Sequence, residues 1–149
     1  MTWQLPNPYV LSIDVEPDAI DHYGHVNNTE YLRYIEQVSW AHSAQLGLTL
    51  KDYQALDRAM VVTRHEIDYL APAYEGETLQ LATWIVDCDQ KMRLVRRFQL
   101  YRPADQKTLM QARTTFICAS LSSGRPRRFP AIFIQTYLPA VVDEDAASL

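Results

Sequence analysis

Glycine is scarce in this chain, with four residues in 149. So few cannot build the glycine-rich loops that cradle nucleotide phosphates, and no such run occurs. Cysteine is scarcer still. Cys88 and Cys118 have no partner at metal-ligand spacing, which predicts reduced thiols in a cytosolic protein. His22, His25, His42 and His65 are too scattered for a metal site, and His22 and His25 lack a nearby Cys or Glu at ligand spacing, so no metal or cofactor is predicted. No apolar run approaches the ~20 residues that span a bilayer. Met1 to Asn7 lacks the basic and apolar segments of a secretory leader, so a cytoplasmic location without membrane association is expected. Ser39 and Ser43 fall inside a helical pattern with no nucleophile elbow, which leaves a serine-hydrolase triad unsupported. The net charge of −4 argues against nucleic acid as a partner. It leaves room for an anionic small ligand at a local basic cluster.

What is present suits a globular chain: 48% hydrophobic and 21% charged residues at the length of one ordinary domain. That domain is expected over 1–149, with its core at about 9–138 and an acidic tail from Val142 to Leu149 that frays. Tyr9 to Val15 reads as a first strand, ended by Pro17. From Thr29 the period changes: Tyr31, Ile35, Val38 and His42 recur at three-to-four spacing, Asn27 or Asn28 offers an N-cap, and Gly47 a stop. A short helix is predicted within 48–56. Four strands follow at hairpin spacing, over 59–69, 78–87, 92–101 and 109–121, with turns at Pro72, Gly76, Asp89-Gln90, Pro103 to Asp105 and Ser122 to Gly124. This order predicts an α+β fold, an antiparallel sheet of about five strands wrapped around one long helix. One helix covers only part of such a sheet, so a second copy is expected to cover the rest.

The stretch Asp21-His22-Tyr23-Gly24-His25-Val26-Asn27-Asn28 offers a candidate active site. It places a carboxylate on a glycine turn just ahead of the long helix, whose start presents unpaired N–H groups and partial positive charge. Such a site can polarise a carbonyl while the carboxylate acts as base or nucleophile. An ordinary turn aspartate has the same local look. Gly24 serves positive φ or a close ligand approach. His25 can orient Asp21, bind water or hydrogen-bond a substrate oxygen, and is equally at home as a structural group.

The run Asp-x-x-Gly-His-Val-Asn-Asn-x-x-Tyr-Leu-x-Tyr resembles the signature of hotdog-fold acyl-CoA thioesterases of the 4-hydroxybenzoyl-CoA thioesterase type. Glu66 to Ala73, Gly76 to Leu79 and Gly124 to Arg127 before Pro130 fall in that family's order, so the resemblance covers about residues 10 to 130. It implies a homodimer or homotetramer, with active sites between subunits. It also implies hydrolysis of acyl-CoA to free acid and CoA, Asp21 attacking the thioester or activating water and the Asn28 N–H polarising the carbonyl. The related plant acyl-carrier-protein thioesterases carry Asp-x-Asn-x-His before the same Val-Asn-Asn. Asp21 and His25 match that pattern, while Tyr23 stands where its asparagine would be. That branch has a functional glutamate at the place of Glu66. Alternation puts Arg64, Glu66 and Asp68 on one strand face, where a solvated ion pair is an equal explanation.

Arginines cluster at Arg93, Arg96, Arg97, Arg102 and Arg113, and at Arg125, Arg127 and Arg128. The planar guanidinium suits phosphate, and the last three are expected to hold the nucleotide end of CoA. Tyr31, Leu32, Ile35, Trp40 and Trp84 are candidates for an acyl or aryl pocket, with core packing an equal account. Three other readings remain: a hotdog hydratase, whose motif is not visible, an acyl-carrier-protein thioesterase, and a non-catalytic dimer that binds acyl thioesters.

Overall fold

A computed structural model describes residues 2–145; Met1 and residues 146–149, the end of the predicted acidic tail, lie outside the described residues. Five strands form one antiparallel sheet: β1 (Tyr9–Asp14), β2 (Arg58–Tyr69), β3 (Thr78–Cys88), β4 (Arg93–Arg102) and β5 (Lys107–Ser120), in the spatial order β1-β3-β4-β5-β2. Among the described residues three α-helices accompany it: α1 (Asn28–Leu46), α2 (Leu50–Ala55) and α3 (Ala131–Tyr137). No helix among the described residues is long and apolar enough to cross a membrane.

Helix α1 begins where its cap chemistry dictates. The Asn27 side chain accepts hydrogen bonds from the Thr29 N–H at 3.0 Å and the Thr29 hydroxyl at 2.9 Å, and Glu30 complements the positive end. Gly47 closes the helix at φ 109°, a left-handed conformation that costs glycine little. The buried Tyr31, Tyr34, Ile35, Val38 and His42 recur at three-to-four spacing. Tyr31, Tyr34, Ile35 and Val38 join Ile13, Leu79, Leu81, Phe98 and Leu100 of the sheet in one apolar cluster, where each large side chain contributes about 1.5–3 kcal/mol. A second cluster gathers Tyr53 of α2, Phe133 and Tyr137 of α3, and Ile85, Leu94 and Cys118 of the strands. Helix α3 was not expected from the sequence. Cys88 and Cys118 are free and buried, and burial raises both thiol pKa values.

The opposite face of the sheet is covered by the N-terminal segment, through Trp3 and Leu5 against Trp84, Val86 and Val95. Residues 142–144, the first part of the tail expected to fray, also dock there: the Val142 N–H donates to the Ile85 carbonyl at 2.8 Å, and Glu144 pairs with Arg97 and Arg113. Strand β2 lies at the sheet edge with eight of its twelve residues exposed, so one side of its backbone has no strand partner among the described residues. Its register slips between Val62 and Arg64, so that Val62 opposes Phe116 and His65 opposes Thr114.

Candidate active site

The Asp21 loop is built by its own backbone. The Asp21 N–H donates to the His25 carbonyl at 2.8 Å, and the Gly24 N–H to the Asp21 carbonyl at 3.1 Å, with Gly24 at φ 82°. The positive φ expected of Gly24 is therefore present, and it is what turns the chain back on itself. Asp21 Oδ1 accepts from the Tyr23 N–H at 2.9 Å and the His25 N–H at 3.3 Å. These bonds fix the carboxylate's direction without occupying Oδ2, which takes no hydrogen bond from the described residues. The loop is stitched to the fold by Ile20 bridging Val26, by the Val26 N–H on the Ala73 carbonyl (2.9 Å) and by the Asn27 N–H on the Ala19 carbonyl (2.8 Å).

Asn28 is the first residue of α1, and its N–H has no acceptor among the described residues. The Asn27 cap satisfies Thr29, one residue on, and leaves the Asn28 donor open. A partly exposed carboxylate and an unspent helix-start N–H therefore lie on one short loop. The His25 ring packs edge-on against Tyr74, with centroids 5.3 Å apart, so its link to Asp21 runs through the backbone. The Tyr69 hydroxyl reaches the Asn28 carbonyl at 3.5 Å, the outer limit of a hydrogen bond.

The remaining predicted site residues are dispersed in one chain. Glu66 pairs with Arg64 at 2.9 Å, and the register places it beside Arg113 and Arg97, on the sheet face away from α1. Arg125, Arg127 and Arg128 are exposed on the loop after β5. Arg127 faces Asp57 at 3.6 Å, and the Arg128 carbonyl accepts from Arg58 Nε. They stand at the start of β2, whereas Asn28 stands at its end by Tyr69. Twelve extended residues separate those ends by about 36 Å. Tyr31 is buried with Tyr34 in the core, its hydroxyl pKa raised mainly by desolvation. Trp84 lies on the far face, its indole N–H donating to the Pro6 carbonyl, because strand alternation pairs it with Arg97.

Leu32, Ile35 and Trp40 do line a cavity, one of about 350 Å³ between α1 and strands β2, β4 and β5. Its polar lining includes Ser39, Ser43, Tyr53, His65, Arg96 and Tyr137. None of these was singled out as a binding residue from the sequence. A signal existed for Arg96, which shares its strand parity with Leu94, Phe98 and Leu100. Among the described residues no group of three His, Cys, Asp or Glu side chains could hold a metal ion.

The model of the thioesterase-like superfamily matches residues 15–140. The long-chain acyl-CoA thioesterase FadM of Escherichia coli (strain K12) is 28% identical over 117 residues, 76% of this chain and 84% of that protein. Slr0204, a 1,4-dihydroxy-2-naphthoyl-CoA thioesterase from Synechocystis, matches with a TM-score of 0.79 at 18% identity, over 89% of this chain and 96% of its own. SAV2348 from Staphylococcus aureus, solved in complex with CoA, matches with a TM-score of 0.79 at 20% identity, over 92% of this chain and 87% of its own. At these identities the two structures speak to the fold.

Proposed function

Because the chain belongs to the thioesterase-like superfamily, as a hotdog-fold acyl-CoA thioesterase, we propose that it hydrolyses acyl-CoA to the free acid and CoA with Asp21 as general base or nucleophile. The Asn28 N–H polarises the thioester carbonyl. One observation carries this reading: a carboxylate aimed by two backbone N–H groups sits just ahead of a capped helix whose first N–H is unspent. As base, Asp21 takes a proton from water, the hydroxyl adds to the carbonyl carbon, the C–S bond breaks, and the thiolate leaves and is protonated. As nucleophile, Asp21 adds to the carbonyl carbon and the C–S bond breaks, so that the CoA thiolate leaves and is protonated; water then opens the acyl anhydride to the free acid and the restored Asp21 carboxylate. In both routes negative charge gathers on the carbonyl oxygen, where a fixed donor at a helix start is worth most. FadM acts on long-chain acyl-CoA by its name, and SAV2348 binds CoA. These relatives support CoA as the carrier.

The CoA site is composite. Antiparallel pairing of two β2 edges sets the start of one strand beside the end of the other. That arrangement carries Arg125, Arg127 and Arg128 of one subunit toward the Asn28 end of its partner, across the ~36 Å that separates them in one chain. The exposed β2 edge supports such a pairing. Gly24 lets the loop approach the substrate, while His25 orients Asp21 through its N–H. Glu66 is a candidate only from across the interface.

The test is free-thiol release from short, medium, long and aromatic acyl-CoAs, with Asp21→Asn as the control. Turnover that the variant loses supports the reading. A folded dimer that turns over none of them moves it to a carrier-protein substrate or a binding role.

A further inference from the structure

The cavity beneath α1 has a polar wall built around a cation that lacks an anion. Arg96 is 2% exposed, and no carboxylate among the described residues pairs with it. Its Nη1 donates to His42 Nδ1 at 2.8 Å, and its Nη2 to Ser43 Oγ at 3.1 Å and, more weakly, to the Ser39 carbonyl at 3.5 Å. These acceptors are neutral, because burial and the Arg96 charge push the His42 pKa down to about 3. A buried charge without a counter-charge is costly to desolvate, and neutral acceptors offset only part of that cost.

Strand register shows what surrounds the guanidinium. Arg96 opposes Thr114, which opposes His65, across β4, β5 and β2. The adjoining row on the same face is Leu94, Phe116 and Val62, wholly apolar. The β2 bulge is what brings His65 rather than Arg64 onto this face. Along α1, Asn28, Leu32, Ile35, Ser39 and Ser43 follow at three-to-four spacing, so the apolar walls begin one turn from the Asn28 N–H. Arg33 and Glu36 stand exposed at the rim with opposite charges. From Asn28 to Ser39 the helix rises about 16 Å. An extended chain of ~1.5 Å C–C bonds advances about 1.25 Å per carbon, so roughly a dozen carbons cover that distance.

We propose that this cavity is the acyl site and that Arg96 makes it selective for acyl chains ending in a carboxylate, the mono-CoA thioesters of long dicarboxylic acids. The assignment rests on the thioesterase reading above. The thioester sits at the Asp21 loop, the methylenes run between α1 and the row of Leu94, Phe116 and Val62, and the distal carboxylate supplies the missing counter-charge.

The experiment compares kcat/KM for dodecanedioyl-mono-CoA with dodecanoyl-CoA, and the hexadecanedioyl with the hexadecanoyl thioester. Wild type is expected to favour the carboxylated member by roughly 10- to 100-fold, the scale of one charge-assisted contact. Arg96→Met keeps an unbranched stem without charge and reverses the preference, whereas Arg96→Lys keeps part of it. Thermal melting of wild type with free dodecanedioate and with dodecanoate needs no variant, and only the diacid should raise Tm strongly. Equal or better turnover of the plain acyl-CoAs, with no extra stabilisation by the diacid, overturns the proposal and leaves the thioesterase reading standing. Stabilisation by the diacid alone, without hydrolysis of any thioester, overturns the hydrolase reading and keeps the Arg96 site. Neither hydrolysis nor stabilisation overturns both.

Discussion

Removing the hydroxyl of Tyr137 should cost stability in a way that a second substitution partly restores. The Tyr137 hydroxyl meets Tyr53 Oη at 2.5 Å and Ser43 Oγ at 2.9 Å, all within the buried floor of the cavity. Ser43 retains Arg96 as a donor, but the Tyr53 hydroxyl has no other hydrogen-bond partner among the described residues. Tyr137→Phe therefore strands a buried hydroxyl, at about 1–3 kcal/mol. Tyr53→Phe costs less, about 1 kcal/mol, because Tyr137 keeps Ser43. The double variant removes the stranded group as well, so it should fall short of the sum by about 1–2 kcal/mol. Urea unfolding at one fixed protein concentration reads this out, because a fixed concentration holds constant any linkage of stability to self-association. At an m-value of about 2 kcal/mol/M, Tyr137→Phe lowers the midpoint by roughly 0.5–1.5 M. Additivity within about 0.5 kcal/mol would refute the network.

Asn27→Ala removes the cap of α1 and should cost about 1 kcal/mol, with kcat reduced as well because the cap holds the Asn28 turn. Urea midpoints and thiol release report the two effects, and a variant losing neither contradicts the role given to that turn. His42 titrates near 3 when folded against an ordinary value of 6.5, so between those values the unfolded chain binds the proton and the folded chain does not. Its contribution is complete above about pH 6.5 and is lost as pH falls toward 3, so wild type should lose more stability over that window than His42→Gln when urea midpoints are compared. Mixed dimers test the composite site. Asp21→Asn chains combined with chains carrying Arg125→Ala, Arg127→Ala and Arg128→Ala should regain about half of wild-type activity, through the one site in which both contributions are intact. No gain over either homodimer places the arginines elsewhere.

Local chemistry made much of the fold legible. The Asn27 cap, the buried three-to-four repeat and Gly47 bound α1 within a residue or two of the sequence reading, and alternation located all five strands. Helix α3 was missed because seven residues carry too little periodicity; Phe133 and Tyr137 acquire meaning only once Tyr53 and Ser43 are placed against them. The cavity was illegible for a related reason. Its walls come from α1 and three strands, and the β2 bulge reverses the alternation that would have put Arg64 on the inner face. Arg96 read as one arginine of a cluster, although its apolar neighbours at two-residue spacing already marked its side chain as buried. Alternation in the sequence already sets Trp84 and Leu81 on opposite faces of β3, but which face lies under α1 emerges only from the fold, with Leu81 beneath α1 and Trp84 beneath the N-terminal segment.

The most direct measurement is the rate of thiol release by Asp21→Asn against wild type on the best acyl-CoA of the panel, with the oligomeric state and Tm of both recorded. The account predicts a fall in kcat of at least about 100-fold, the scale of a lost acid–base group, with assembly and Tm unchanged. A variant that hydrolyses at the wild-type rate would contradict it, and would take the chemistry away from the Asp21 loop.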